Sequence, residues 1–151
     1  MELDNFYLEK YTTDDYNHRT TIIELENDKD ARLYLGNLEN WILRMQEKEE
    51  IGFRNNAYIA YYKDNPEPIG FISLTKNTER YEISYGIRPK YRGEHLAALL
   101  LQEFSETVFN TYSEINELTL NINNLNTPSK KTADLVGFEK ETSTRHVQRR
   151  V

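Results

Sequence analysis

Apolar and polar positions change rhythm several times along this chain, and each change predicts an element. Phe6-Tyr7-Leu8-Glu9-Lys10 alternates with period two and reads as a first strand. Thr12 or Thr13 then caps a helix running to about Glu26, with Asp14 and Asp15 in its first turn complementing the dipole. Asp28 or Asp30 caps a second helical piece over 31–35, which Gly36 stops. From Leu38 the helical spacing resumes and carries Trp41, Ile42 and Met45 ahead of the charged run Glu47-Lys48-Glu49-Glu50. Apolar side chains at that spacing read as core.

The middle of the chain is strand-like. Residues 56–63 and 69–75 are rich in aromatic and β-branched side chains and flank the turn Asp64-Asn65-Pro66-Glu67-Pro68. Lys76-Asn77-Thr78-Glu79 turns again into a strand over 80–87, so three strands on short connections predict an antiparallel meander. A helix over about 94–112 follows. It is too long for a hairpin connection, so it should deliver the next strand, 117–122, parallel to 80–87. After a polar loop, Thr127-Pro128-Ser129 opens a short helix with proline in its first turn. Gly137 ends that helix and Phe138 opens a last strand. The basic tail Arg145-His146-Val147-Gln148-Arg149-Arg150 reads as a frayed or edge-strand terminus.

Composition narrows the class. At 151 residues, 38% hydrophobic and 29% charged, the chain is expected to form one globular domain. No apolar run approaches the roughly twenty residues of a membrane span, and the acidic start is unlike a signal peptide, so a cytoplasmic location is expected. There is no cysteine, which removes disulfides, thiolate metal sites and a cysteine acyl-enzyme. His18, His95 and His146 show no ligand spacing, so no metal is expected. The net charge of −6 argues against nucleic acid and suits a cationic amine.

One stretch carries chemistry. Residues 82–97 read as a strand, a polar turn holding Gly93, and a helix start at Glu94, His95, Leu96 and Ala97. Such a turn points several backbone N–H groups at one spot, where the helix dipole adds partial positive charge and favours phosphate. Gly86 inside the strand marks a bulge or a close backbone approach, and Pro89 closes the strand.

The run Tyr85-Gly86-Ile87-Arg88-Pro89-Lys90-Tyr91-Arg92-Gly93-x-x-x-Ala97 resembles the acetyl-CoA signature of the GNAT superfamily of N-acyltransferases. Arg92 and Ala97 match its first and last positions, while His95 replaces its second glycine. Asn126-Thr127-Pro128-Ser129 with Gly137-Phe138 is similar to a motif of the ribosomal-protein N-terminal acetyltransferase branch. Residues 26–36 are loosely similar to a phrase near the start of that branch. The resemblance implies an α/β (α+β) GNAT fold: a mixed, mostly antiparallel sheet of six to seven strands, flanked by helices, with a parallel splayed pair in the middle. It implies acetyl-CoA as cosubstrate, held by Ile87, Arg88, Arg92, Gly93, Glu94, His95, Leu96, Ala97, Asn121 and Asn126. It also implies an amine-bearing acceptor, either a protein N-terminus or a small amine, and a monomer or homodimer.

The same resemblance gives Ser129 the role of protonating the departing thiolate, and Glu82 the role of general base. Read as bare residues, Asn126 and Ser129 are ordinary caps and Glu82 a solvent-facing strand glutamate. Ala133 occupies the place where many relatives carry a tyrosine acid. The short end after Glu139 leaves room for a partner to complete the sheet edge. A polyamine, aminoglycoside or amino-acid acetyltransferase and a non-catalytic acyl-CoA-binding module stand as rival readings.

Overall fold

A computed structural model describes residues 1–47, 55–77 and 80–151. Lys48, Glu49 and Glu50 of the charged run, and Thr78 and Glu79 of the second turn, lie outside the described residues. In chain order the elements are β1 (Phe6–Lys10), α1 (Tyr16–Asn27), α2 (Lys29–Leu35), α3 (Leu38–Glu47), β2 (Asn56–Tyr62), β3 (Pro68–Lys76) and β4 (Tyr81–Ile87). A short 3-10 turn over Pro89–Tyr91 leads to α4 (Leu96–Thr111), β5 (Glu117–Asn121), α5 (Thr127–Val136), β6 (Glu139–Lys140) and β7 (Arg145–Arg149).

The strands form one seven-stranded sheet in the order β1-β2-β3-β4-β5-β7-β6. Every pairing is antiparallel except β4 with β5, as the long helical crossover between them requires. Two apolar clusters cover its two faces. Ile22, Leu25, Leu38, Ile42 and Met45 of α1 and α3 pack on Ala57, Ile59 and Phe71. On the other face Leu100, Phe104 and Val108, one turn apart along α4, pack with Leu101 on Ile72, Ile83, Ile87, Leu118 and Leu120. Burying each such side chain contributes about 1.5–3 kcal/mol, so α4 is held by its apolar stripe.

Three expectations change. The first helix begins at Tyr16 rather than near Thr13, because Asp15 is its cap and accepts the His18 N–H at 3.1 Å. The sheet has seven strands within the chain, so its end needs no partner to supply one. The basic tail is neither frayed nor an edge: β7 lies between β5 and β6. Just beyond it, Arg150 donates to the carbonyls of Phe109, Tyr112 and Ile115 at 2.7, 2.7 and 3.1 Å. Phe109 is in the last turn of α4 and Tyr112 is its cap residue, so the guanidinium stands at the C-terminal end of the helix, where a cation suits the dipole.

Candidate functional site

The site begins where two strands part. β4 and β5 are paired only at Tyr81↔Leu118 and Glu82↔Thr119, and beyond these they diverge. The Arg88 N–H donates to Ile69 O on β3 at 2.8 Å. By the alternation of an antiparallel ladder, the N–H groups of Tyr85 and Ile87 therefore face the opposite side, into the gap. On β5, Ile122 N–H donates to Thr144 O at 2.7 Å, so the amide of Asn121 faces the same gap. The splay thus leaves a backbone-lined slot open in the middle of the sheet.

Gly86 sits beside that slot without a bulge, since β3 and β4 keep one register from Gly70↔Ile87 to Lys76↔Tyr81. A close approach requires the glycine instead: a Cβ there would stand 2.9 Å from Phe71 Cε1 and 3.2 Å from Leu35 Cδ1. The Gly86 carbonyl in turn occupies the space a side chain at Gly70 would need. The register slip lies one strand away, between Ala60 and Tyr61.

At one end of the slot stands the N-terminus of α4. Gly93 (φ 83°) and His95 (φ 60°) both take the left-handed conformation, and open space surrounds a Cβ at Gly93. The position of His95 explains why glycine suits it. Histidine adopts this conformation more readily than bulky or β-branched residues do. No side chain caps α4, and no acidic residue stands in its first turn. Elsewhere a side-chain oxygen serves each helix start: Asp15 for α1, Asp28 for α2, Asn37 and Glu26 for α3, Asn126 for α5. Among the described residues, the N–H groups of Gly93, Glu94, His95, Leu96, Ala97 and Ala98 bond to no protein group; Leu99 is the first to do so, to His95 O at 3.2 Å. Open donors at a helix N-terminus favour an anion there.

The two arginines of the motif point elsewhere. Arg92 Nε donates to Ile87 O at 3.0 Å and its Nη1 meets Asp28 Oδ2 at 3.0 Å. Arg88 Nε reaches Glu24 Oε2 at 2.9 Å and its Nη1 donates to Pro68 O at 2.8 Å. Asp28 is held below the usual carboxylate range, first by the Ala31 N–H and then by Arg92. Both side chains therefore fasten the turn to α1 and α2. Arg92 also occupies the Ile87 carbonyl, leaving the Ile87 N–H as that residue's open group in the slot.

At the other end stands α5. Asn126 Oδ1 accepts the Ser129 N–H at 3.3 Å, which leaves the Asn126 amide nitrogen available. Asn121, Asn126 and Ser129 share a cavity of about 210 Å³ with Ser84 and Tyr85 of β4 and Tyr34, Leu38 and Trp41 of the helical wall. Trp41, whose spacing reads as core, in fact faces this cavity, as does Tyr34. Nothing in their periodicity separates the two fates, because a cavity wall and a core are equally apolar. Ala133, on α5, is wholly buried and offers no hydroxyl.

Glu82 does not line the cavity; it stands two residues before Ser84 on the same face of β4. Its carboxylate makes no hydrogen bond or ion pair among the described residues, and burial pushes its pKa up. A half-buried, unpaired carboxylate is a proton acceptor at a higher pH than an exposed one. Ser84 and Tyr85 have no motif in the sequence that singles them out as cavity-facing.

A family model described as the acetyltransferase (GNAT) family matches residues 12–138. Solved structures with the same fold include a GNAT-family acetyltransferase from Bacillus anthracis, 14% identical over 97% of this chain and 95% of that one, with a TM-score of 0.74. An aminoglycoside acetyltransferase in complex with coenzyme A and kanamycin is 17% identical over 96% and 95%, TM-score 0.72. The ribosomal-protein-S5-alanine acetyltransferase from Vibrio fischeri is 13% identical over 99% and 95%, TM-score 0.71. No curated protein matches the sequence significantly.

Proposed function

Because the chain belongs to the GNAT acetyltransferase family, whose cosubstrate is acetyl-CoA, we propose that it transfers the acetyl group to a primary amine by direct attack. The observation that carries this reading is the uncapped N-terminus of α4 opening onto the slot between β4 and β5. In this reading the backbone N–H groups of residues 93–98 hold the pyrophosphate, with no side-chain charge needed from Arg88 or Arg92. The pantetheine arm lies in the slot against the Asn121 amide and the side-chain nitrogen of Asn126. The Ile87 N–H polarises the acetyl carbonyl and stabilises the oxyanion that forms as the amine attacks.

Proton traffic then divides between two side chains. Glu82, directly or through water, takes the proton of the attacking ammonium. Ser129 delivers a proton to the sulfur as the carbon–sulfur bond breaks. Among amines, a protein N-terminus suits this chemistry, since its pKa near 8 needs no strong base. The branch resemblance of residues 26–36 and 126–138 supports that acceptor. Small amines form the second reading, favoured by the aromatic wall of Tyr34 and Trp41 opposite the Glu82 strand, an arrangement that attracts cations.

Calorimetric titration with acetyl-CoA tests the donor half. Saturable binding that is lost in Gly93→Glu is the expected result. Absence of binding in the wild type overturns the reading, and binding of equal strength in both proteins removes the turn from it.

A further inference from the structure

The chain carries a net charge of −6, but among the described residues no Asp, Glu, Lys, Arg or His lines the cavity between β4, β5 and the helical wall. One side is apolar, built from Leu35, Leu38, Trp41 and Phe71. On the other, Asn123 Oδ1 accepts the Leu125 N–H at 2.9 Å, which leaves the Asn123 amide nitrogen available. Carboxylates of α1 and its C-terminal cap are already engaged: Glu24 by Arg88 at 2.9 Å, Asp28 by Arg92 at 3.0 Å and Glu26 by the Glu39 N–H at 2.7 Å. Glu82 stands outside the cavity on β4. At about 210 Å³ the space also falls below the roughly 300–1,000 Å³ of pockets that enclose a drug-sized ligand.

We propose that the acceptor is a monoamine with an uncharged, apolar group beside its nitrogen, and that polycationic amines are excluded. This rests on the acetyl-transfer reading above and narrows its acceptor. A charge removed from water needs a counter-charge or a full set of hydrogen bonds. The reacting ammonium is the exception, because in that reading it gives up its proton to Glu82 and attacks as a neutral amine. A second ammonium, or a charged side chain next to the amine, would meet only rings, alkyl groups, hydroxyls and amides. The faces of Tyr34 and Trp41 attract one cation but do not neutralise another. The apolar group lies against Leu38, Trp41 and Phe71, and a carbonyl beyond it accepts from the Asn123 amide nitrogen.

The test follows release of the CoA thiol with a set of acceptors. Tetrapeptides that differ only in beginning with Leu, Lys or Glu are compared with leucinamide, spermidine and kanamycin. The Leu peptide or leucinamide should exceed the Lys and Glu peptides at least about tenfold in kcat/KM, and spermidine and kanamycin at least about 100-fold. Whichever of the two leads tells a polypeptide end from a small amine, and either upholds the inference. Trp41→Glu puts a carboxylate into the wall and should move the ratio of Lys to Leu peptide at least about tenfold toward Lys, with acetyl-CoA binding as the check that the variant is folded. A Lys peptide, spermidine or kanamycin turned over as well as the Leu compounds overturns the inference. So does a wild type that binds acetyl-CoA and acetylates neither Leu compound, which leaves the donor reading intact. A wild type that binds no acetyl-CoA overturns both.

Discussion

Two helix N-termini meet in this site, and they are built in opposite ways. The start of α4 is bare: two left-handed residues, no capping side chain, and a row of unpartnered N–H groups, with Arg150 sealing the far end of the helix. The start of α5 is dressed with Asn126 as its cap, Pro128 in its first turn and Ser129 beside the cavity. The first is a place made of backbone, tolerant of side-chain identity and intolerant of anything that disturbs φ or adds negative charge. The second is a place made of side chains, where one atom carries the effect. In the proposed reading anchoring and chemistry are thereby separated along one slot, so they should fail separately.

The largest expected effect is at the bare end. Gly93→Glu places a carboxylate and a Cβ where φ is 83°, and acetyl-CoA affinity should fall at least about 100-fold, more than about 2.7 kcal/mol. Next comes the dressed end. Ser129→Ala should lower kcat about 100-fold, the scale of general acid catalysis, while calorimetry finds acetyl-CoA binding within about threefold of wild type, a window well under 1 kcal/mol. A loss of affinity as large as the loss of kcat would erase the separation.

Acidity sharpens the contrast further. If Glu82 is the base proposed above, it acts only when ionised, so turnover should fall as pH drops through its raised pKa, while CoA affinity stays level over that range. The sign for stability is opposite. A carboxyl raised by burial favours folding in its protonated form, and that contribution is lost as pH rises through the folded pKa. Glu82→Gln should therefore lose the acid limb of the rate profile and melt higher than wild type at neutral pH, the difference closing in acid.

Smaller effects separate the two helix starts. Asn126→Ala removes the bond to the Ser129 N–H and should cost about 1 kcal/mol in denaturant unfolding. His95→Gly relieves a left-handed residue at about 1–2 kcal/mol but adds chain entropy of about 0.5–1 kcal/mol. Stability should rise by about 1 kcal/mol or less, with CoA binding retained. A fall in stability would mean that the His95 ring has a structural task.

How much of this was legible depends on whether an element announces itself locally. The order of strands and helices was readable because periodicity and turn residues are local, and the parallel pairing of β4 with β5 followed from the length of α4 alone. The interior place of the seventh strand was not: Arg145–Arg149 reads as a frayed or edge-strand terminus, and only its pairing with both β5 and β6 makes it interior. The uncapped turn before α4 was legible through Gly93 and the helix start, since backbone geometry leaves a mark in residue choice. Arg92 illustrates the limit. Its place in the motif suggests phosphate, but long-range contacts to Ile87 O and Asp28 decide where its charge goes. Tyr85, Tyr34 and Trp41 were hidden for a related reason, because an apolar residue facing a cavity has the same spacing as one facing a core.

Amide chemical shifts on titration with CoA test the central claim most directly. If the bare N-terminus of α4 seats the pyrophosphate and the splayed strands hold the arm, the largest changes will fall on the N–H groups of residues 93–98, with Ile87 and Asn121 following. Shifts that leave those amides in place and gather on another surface would contradict it.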